Sequence, residues 1–508
     1  MRNLFLLLSI LFSLSAFAQG PMNFCTDELE TFPVLAQGRE KPLYVLAGDS
    51  IRFITGEKKV GEFSAVVAFC KLSLKVFGMP LELPVNIRVD HVDVRKFLGV
   101  NENTNSVPVN ELLEKFDLIQ GEIRTQKENN SYKKELTKVA GRIQTYKAVI
   151  SGQAWTVPVV ENGKVSFLTL AEFLSEDRVM SARGSGNPVQ VLIDRAKADY
   201  LSAKGDDYLL ELKYFKLNPF LWALLLSLAA IFAFVLTKNR NYGIALTAMT
   251  ILLQIAAMTL RVLISGRAPV TNMYETVMFS GFGALILSSI ITIYRKEISF
   301  ILAGLGYNVL CLMMMKFANG MLDPGISPLV PVLRDNFWLS THVTTVILSY
   351  AALALSWILA NSILIRDSLG KLKAEDYRYQ VDLTYTCIKF GVVLLAGGVI
   401  LGGVWADYSW GRFWGWDPKE TWSLIVLLVY MAILHGKGTT WIPPRRFIPL
   451  VAGAFMSVMM AWFGVNYILA SGLHSYGFSE GGAIFLGSFF ILQIAILIVT
   501  RFKVKQAA

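Results

Sequence analysis

Two textures divide the chain. Through residues 19 to 217, short β-like runs such as LPVNIRV and TVPVV alternate with charged, helix-like stretches such as ELLEKFDLIQGEIRTQKENNSYKKELTKV. That is the alternation of a half-buried soluble fold. From Pro219 onward polar positions thin out, and apolar runs recur at about 219–237, 242–264, 275–294, 298–317, 343–364, 383–405, 421–435, 447–468 and 481–500. A helix needs roughly 20 apolar residues to cross a bilayer. The pattern therefore predicts nine spans, the seventh short and starting inside the loop before it. The expected fold is mostly α: a polytopic membrane helix bundle over residues 218–508, preceded by a soluble α+β domain over 19–217.

The first residues, MRNLFLLLSILFSLSAFAQG, pair Arg2 with a short apolar run and end in Ala16-Phe17-Ala18. They read as a secretory signal over 1–18, cleaved before Gln19; an uncleaved anchor helix is the alternative. Either way residues 19–217 lie outside the cytoplasm, where Cys25 and Cys70 can form a disulfide. Basic groups agree with this topology. Lys238 and Arg240, Arg295 and Lys296, RDSLGKLKAEDYRY, HGKGTTWIPPRR and the tail RFKVK all fall on one side of the span count. The positive-inside rule makes that side the cytoplasm. An exported amino-terminal domain and a cytoplasmic carboxyl end require an odd number of spans, and nine satisfies this.

Composition narrows the class further. The chain is 54% hydrophobic and 17% charged, with a mean hydropathy of +0.48, outside the soluble globular range. Its net charge of +10 is dispersed at helix ends, which argues for topology determinants and against a nucleic-acid partner. The four cysteines form no CxxC pair. That argues against a thioredoxin-like dithiol, a zinc ribbon and a self-attached c-type haem.

One loop departs from ordinary membrane sequence. Five of eleven tryptophans lie between Trp405 and Trp422, around SWGRFWGWDPKETWSLI. A lipid-facing aromatic belt accounts for two or three. Asp417-Pro418-Lys419-Glu420 reads as a capping box with proline at the first helical position, in preference to an acid–base pair. The histidines are few and unevenly placed. His91 reads as a surface or strand residue. His342, in NFWLSTHVTTVILSY, lies where an external loop enters a helix, and His474, in ASGLHSYGF, lies in the last external loop. His435, in VYMAILHGKG, closes a helix at the opposite, cytoplasmic side.

A lone interfacial histidine is commonly a polar cap. Two on the face that carries the tryptophans admit a second reading, because neutral imidazoles can fill both axial positions of haem iron. Indoles at Trp410, Trp414, Trp416 and Trp422 supply flat apolar area for a porphyrin, and Arg412 and Lys419 supply cations for its propionates.

WGRFWGWDPKETWSLI resembles the tryptophan-rich WWD signature of haem-handling proteins. Its surroundings are similar to the CcsA (ResC) branch, the cytochrome c biogenesis proteins of the system II pathway. His342 and His474 flank the signature as that family's two external haem-ligand histidines do, and His435 is similar to its transmembrane histidine. SGRAPVTNMYETVMF, residues 265 to 279, resembles a second family segment. The resemblance covers roughly residues 219 to 500. FPVLAQGREKPLYVLAG resembles a segment found ahead of CcsA in fused CcsB–CcsA proteins, so residues 19–217 are expected to be a reduced CcsB-like periplasmic domain.

The resemblance implies a bacterial inner-membrane protein with its tryptophan loop in the periplasm and its carboxyl terminus in the cytoplasm. Haem b would enter through a site involving His435 and be held outside by His342 and His474. It would be presented there to an apocytochrome c CxxCH motif, with thiol-reducing proteins as further partners. The activity implied is that of a holocytochrome c synthase, or haem lyase, acting as a complex. In the fused relatives a second inner histidine lies in the CcsB part, and NLFLLLSILFSLSAFA carries none. A separate CcsB (ResB)-type partner is therefore expected. The competing classes are haem delivery without ligation and a b-type electron-transfer subunit, which would hold haem between facing helices. A transporter of another solute would need intramembrane acids or broken helices.

Overall fold

A computed structural model describes residues 24–77, 83–127, 130–175, 178, 188–237, 239–318, 320–329, 335–469 and 482–506. Contacts divide the chain into two units, Met1–Lys216 and Leu217–Ala508.

The first unit is an α+β domain of two-stranded antiparallel ribbons and helices. Pro33–Ala36 (β1) pairs with Arg39–Pro42 (β2), and Thr156–Glu161 (β3) pairs with Lys164–Thr169 (β4). Both ribbons close through two residues at positive φ, Gln37-Gly38 and Asn162-Gly163. That backbone matches the strand twist of tight hairpins. The helices Leu43–Thr55 (α1), Ala65–Ser73 (α2) and Ser131–Ile150 (α3) supply much of the core. Fully buried Trp155 lies edge-on to Phe32 at 5.9 Å between ring centres and 6.2 Å from Phe69. A disulfide joins Cys25 to Cys70 in α2. Arg142, almost fully buried, donates to the carbonyls of Phe53 and Arg88 and pairs with Glu135 and Asp90. A buried guanidinium is tolerable only with its donors satisfied in this way.

The second unit is a polytopic helical bundle. Among the described residues of the chain, nine helices are long and apolar enough to cross a membrane. The second unit's helices are Pro219–Leu236 (α4), Arg240–Ser265 (α5), Met273–Arg295 (α6), Ile298–Phe317 (α7), Thr344–Ser368 (α8), Ala374–Trp410 (α9), Pro418–Gly438 (α10), Pro444–Met459 (α11) and Gly482–Gln506 (α12). The hydropathy-based spans fall within or across these helices. The sixth differs most: α9 runs 37 residues because the polar stretch from Ala374 continues the helix ahead of the apolar run.

α8 is the central post and packs on α6, α7, α9, α11 and α12. Lipid tails give helices no hydrophobic reason to associate, so close packing and interhelical hydrogen bonds must hold them. Glycines of α9 let α8 approach: a Cβ at Gly391 would lie 2.5 Å from Leu353, and one at Gly398 would lie 2.7 Å from Val346. At α12 the contact is polar. The Asn361 and Gln493 amides bond reciprocally at 3.3 and 3.1 Å, and Trp357 Nε1 donates to Gln493 at 2.7 Å.

Among the described residues, two single turns of π-helix interrupt this regularity. Leu339–Val343 leads into α8, and Met460–Gly464 follows α11. Such turns concentrate at functional sites.

Candidate functional site

α9 ends at Gly411, which takes a left-handed conformation while its N–H caps Asp407. The chain then turns back through Arg412–Trp416 into α10. Asp417 opens that helix: its carboxylate accepts from Lys419 N at 2.9 Å and Glu420 N at 3.0 Å. Glu420 completes the capping box by accepting from Asp417 N at 3.3 Å. The same carboxylate reaches further back, to Gly415 N at 2.6 Å and Arg412 Nη1 at 3.3 Å. One acid therefore ties three points of the loop. A Cβ at Gly415 would fall 1.4 Å from Arg412 Nη1, so no other residue fits there without displacing the guanidinium. Trp416 has φ of 58°, a conformation that costs a bulky residue about 1–3 kcal/mol. Its ring meets Trp414 edge-on at 6.0 Å.

Beneath this loop lies a cavity of about 1280 Å³, counting the space at its mouth. Both π-turns face it, the first through His342 and the second through Trp462. Trp405, Trp410 and Trp414 line it from α9 and the loop, and Met273 and Thr276 from the start of α6. Trp462 Nε1 donates to Thr276 Oγ1 at 3.2 Å, and its ring lies 5.7 Å from Tyr350. Lys419 Nζ donates to Asn466 Oδ1 at 3.3 Å and also lines the cavity.

His342 is held in one orientation. Its Nδ1 lies 2.9 Å from the Gly398 carbonyl. A carbonyl only accepts, so Nδ1 carries a proton, and in the neutral form of the ring the lone pair then lies on Nε2. The Trp405 ring meets this imidazole edge-on at 5.7 Å.

A bare metal ion would need several protein donors, and among the described residues no cluster of three His, Cys, Asp or Glu forms one. The cavity instead offers one imidazole in the ligating tautomer and an aromatic wall. That donor set fits porphyrin iron, which brings four equatorial nitrogens and asks the protein for axial ligands and a dry, flat slot.

The wall formed by the start of α6 rests on a buried ion pair. Arg261, at the end of α5 and fully buried, bonds Glu275 at 2.7 Å and the carbonyls of Pro324 and Gly325 at 3.0 and 3.1 Å. Glu275 also accepts from Thr271 N and Oγ1 at 2.8 and 2.7 Å. The pair stitches two interhelical loops together next to the cavity.

Of the residues singled out in the sequence, His342, Trp410, Trp414, Lys419 and Glu420 line the cavity. Trp416 is 69% exposed, and neither it nor Trp422 is in the lining. Arg412 engages Glu420 and lies 5.7 Å from the Trp410 ring centre. Asp417 and Pro418 start α10. His474 lies outside the described residues. His435 is exposed at the far end of α10, with Nδ1 on the Met431 carbonyl at 2.9 Å. Eighteen residues separate it from Asp417, a rise of about 27 Å. Sequence reading missed Trp405, Tyr350, Trp462 and Asn466 as lining residues. The repeat GGVILGGV was a usable signal for close helix approach, but it named no partner.

Fold and site together define a polytopic helical membrane protein with a tryptophan-walled histidine cavity at one end of its bundle. A sequence profile for cytochrome c assembly proteins matches residues 270–474. The chain is 36% identical over 288 residues to the cytochrome c biogenesis protein CcsA of Prochlorococcus marinus (strain MIT 9312), covering 50% of this chain and 90% of that protein. It is 35% identical over 239 residues to CcsA of Guillardia theta, covering 42% and 78%. A third relative, protein NrfI of Wolinella succinogenes, is 34% identical over 228 residues, 43% of this chain but 24% of that protein. The chain belongs to the CcsA family of cytochrome c biogenesis proteins.

Proposed function

We propose that this chain works in cytochrome c biogenesis of the system II kind, with haem b as its cargo. The cavity beneath the tryptophan loop presents that cargo to the CxxCH thiols of an apocytochrome c. The observation that carries the reading is His342, its Nδ1 on the Gly398 carbonyl, within an indole-walled cavity. His342 supplies one axial ligand and His474 the other. Trp410 and Trp414 cover the macrocycle and exclude water, while Trp416 and Trp422 extend the aromatic rim. Lys419, with Arg412 at the edge, receives the carboxylates. In each attachment a cysteine S–H adds across a vinyl C=C: the sulfur bonds one carbon, the hydrogen the other, and no outside oxidant is needed. The chain binds, orients and desolvates; the bond-making chemistry belongs to haem and thiol.

On this reading the protein sits in the bacterial inner membrane with the tryptophan loop in the periplasm, as the basic segments at the opposite helix ends suggest. His435 belongs to a cytoplasmic-side entry site, completed by an imidazole from a CcsB (ResB)-type partner. Residues 19–217 form a reduced CcsB-like periplasmic domain.

Absorption spectroscopy of the purified protein tests the reading. A Soret band is expected. His342→Ala and His474→Ala should each lose it, and added imidazole should restore part by filling the vacant axial position. A wild-type protein without a Soret band, or variants with unchanged spectra, would overturn the assignment.

A further inference from the structure

We propose that Gly402 and the Gly398 carbonyl are positioning groups for His342, and that they decide which imidazole nitrogen faces the iron and how strongly it donates. The inference rests on the haem reading above and goes beyond it to residues with no donor side chain.

Two independent contacts carry it. The first is the hydrogen bond from Nδ1 to the Gly398 carbonyl at 2.9 Å. A helical carbonyl has a second lone pair and can accept this proton without giving up its place in α9. Pulling on the Nδ1 proton makes Nε2 a stronger donor, and such outer partners orient ligating imidazoles in metalloproteins generally. The second contact is steric. A Cβ built on Gly402 would lie 2.6 Å from His342 Cε1, 3.1 Å from Nδ1 and 3.3 Å from Nε2. The imidazole thus occupies the space where any other residue's side chain would begin. One turn away, a Cβ on Gly398 would meet Val346 backbone N at 3.3 Å, which fixes how close the two helices run. His342 is thus pressed against α9 at Gly402 while its Nδ1 reaches the Gly398 carbonyl of the same helix. A methyl group at 402 can be accommodated only by moving the ring, and moving the ring breaks the bond to Gly398.

Gly397 supplies the control. It lies in the same helix, and a Cβ there would meet nothing within 4 Å. Gly397→Ala therefore changes helix propensity alone.

The experiment compares the wild type, Gly397→Ala, Gly402→Ala, His342→Gly and the double variant Gly402→Ala/His342→Gly, each purified as the full chain. Haem retention is followed by the Soret band, and the midpoint potential is measured on the bound fraction. Gly402→Ala is expected to lose haem roughly 10–100-fold faster, the usual cost of removing an outer partner. Its potential should rise, because a weaker donor stabilises ferric iron less. Imidazole at millimolar concentration should restore the band. On the His342→Gly background with imidazole, Gly402→Ala should change nothing, since the ring it displaces is gone. If Gly402→Ala does not accumulate alone, restored accumulation of the double variant reads the same contact, because the clash goes with the ring; a double variant that also fails to accumulate overturns the proposal. Three other outcomes overturn the proposal: Gly402→Ala indistinguishable from Gly397→Ala; loss of haem that imidazole does not repair; or an equal cost with and without the His342 side chain. The first of these, with a normal wild-type Soret band, leaves the haem reading standing. A wild type without the band sinks both.

Discussion

Glu420 shows how much of a loop one carboxylate can organise. It accepts from Gly415 N, Asp417 N and Arg412, so three backbone or side-chain donors of the loop are satisfied by a single acid. Asp417 has a simpler duty, holding two N–H groups of the first turn of α10. Asparagine caps as well as aspartate does, so Asp417→Asn should leave haem retention near wild type. Asp417→Leu removes the cap and should cost about 1 kcal/mol of helix stability, seen as faster amide exchange in the first turn of α10 and weaker retention. Equal and severe losses for both variants would point to a role for the charge itself. The cap was legible in the sequence because it needs only four consecutive residues and no knowledge of what packs on them. Which cation faces the cavity was not. Arg412 and Lys419 read as equivalents in the chain, and only folding draws Arg412 to Glu420 while Lys419 lines the cavity and bonds Asn466.

Among elements, the start of α6 depends on the Arg261–Glu275 pair, whose side chains are 0% and 1% exposed. Removing one partner strands a buried charge, so Arg261→Met should destabilise the bundle by about 3–5 kcal/mol. Arg261→Met/Glu275→Leu should recover much of that loss. Thermal unfolding in detergent checks the order; a double variant no better than the single one would mean that the carbonyl bonds to Pro324 and Gly325 matter more than the charge pair. Hydropathy legibly reported the helices, because spanning is a property summed over about 20 residues. It could not report the π-turns at Leu339–Val343 and Met460–Gly464. One residue gained in a turn leaves the apolar sum unchanged yet rotates every side chain beyond it. Nor could it assign a partner to Gly402, whose constraint comes from a ring on another helix. The first unit was legible in its short β-like runs and charged helix-like stretches, whereas the pairing of Cys25 with Cys70 depends on a long-range approach.

For the molecule as a whole, α10 carries the tryptophan loop at one end and His435 at the other, about 27 Å apart by helical rise, close to the hydrocarbon thickness of roughly 30 Å. The described chain offers one histidine at that far end, and it is exposed. A bis-imidazole entry site there needs a second chain, so cytochrome c maturation should require co-expression with a CcsB-type membrane protein. Producing this chain with and without such a partner, in a host lacking its own pathway, and staining for covalent haem, decides the matter. Maturation by this chain alone would remove the partner requirement.

All four cysteines are accounted for: Cys25 and Cys70 are bonded to each other, and Cys311 and Cys387 are buried within helices. On the function proposed above, a protein that presents its cargo to a pair of client thiols keeps its own free thiols buried. Its one disulfide is a buried structural bridge in the first unit, and its two free thiols lie inside helices. On that function, the client's thiols are then expected to arrive already reduced, and the timing of attachment would pass from this chain to whatever reduces them.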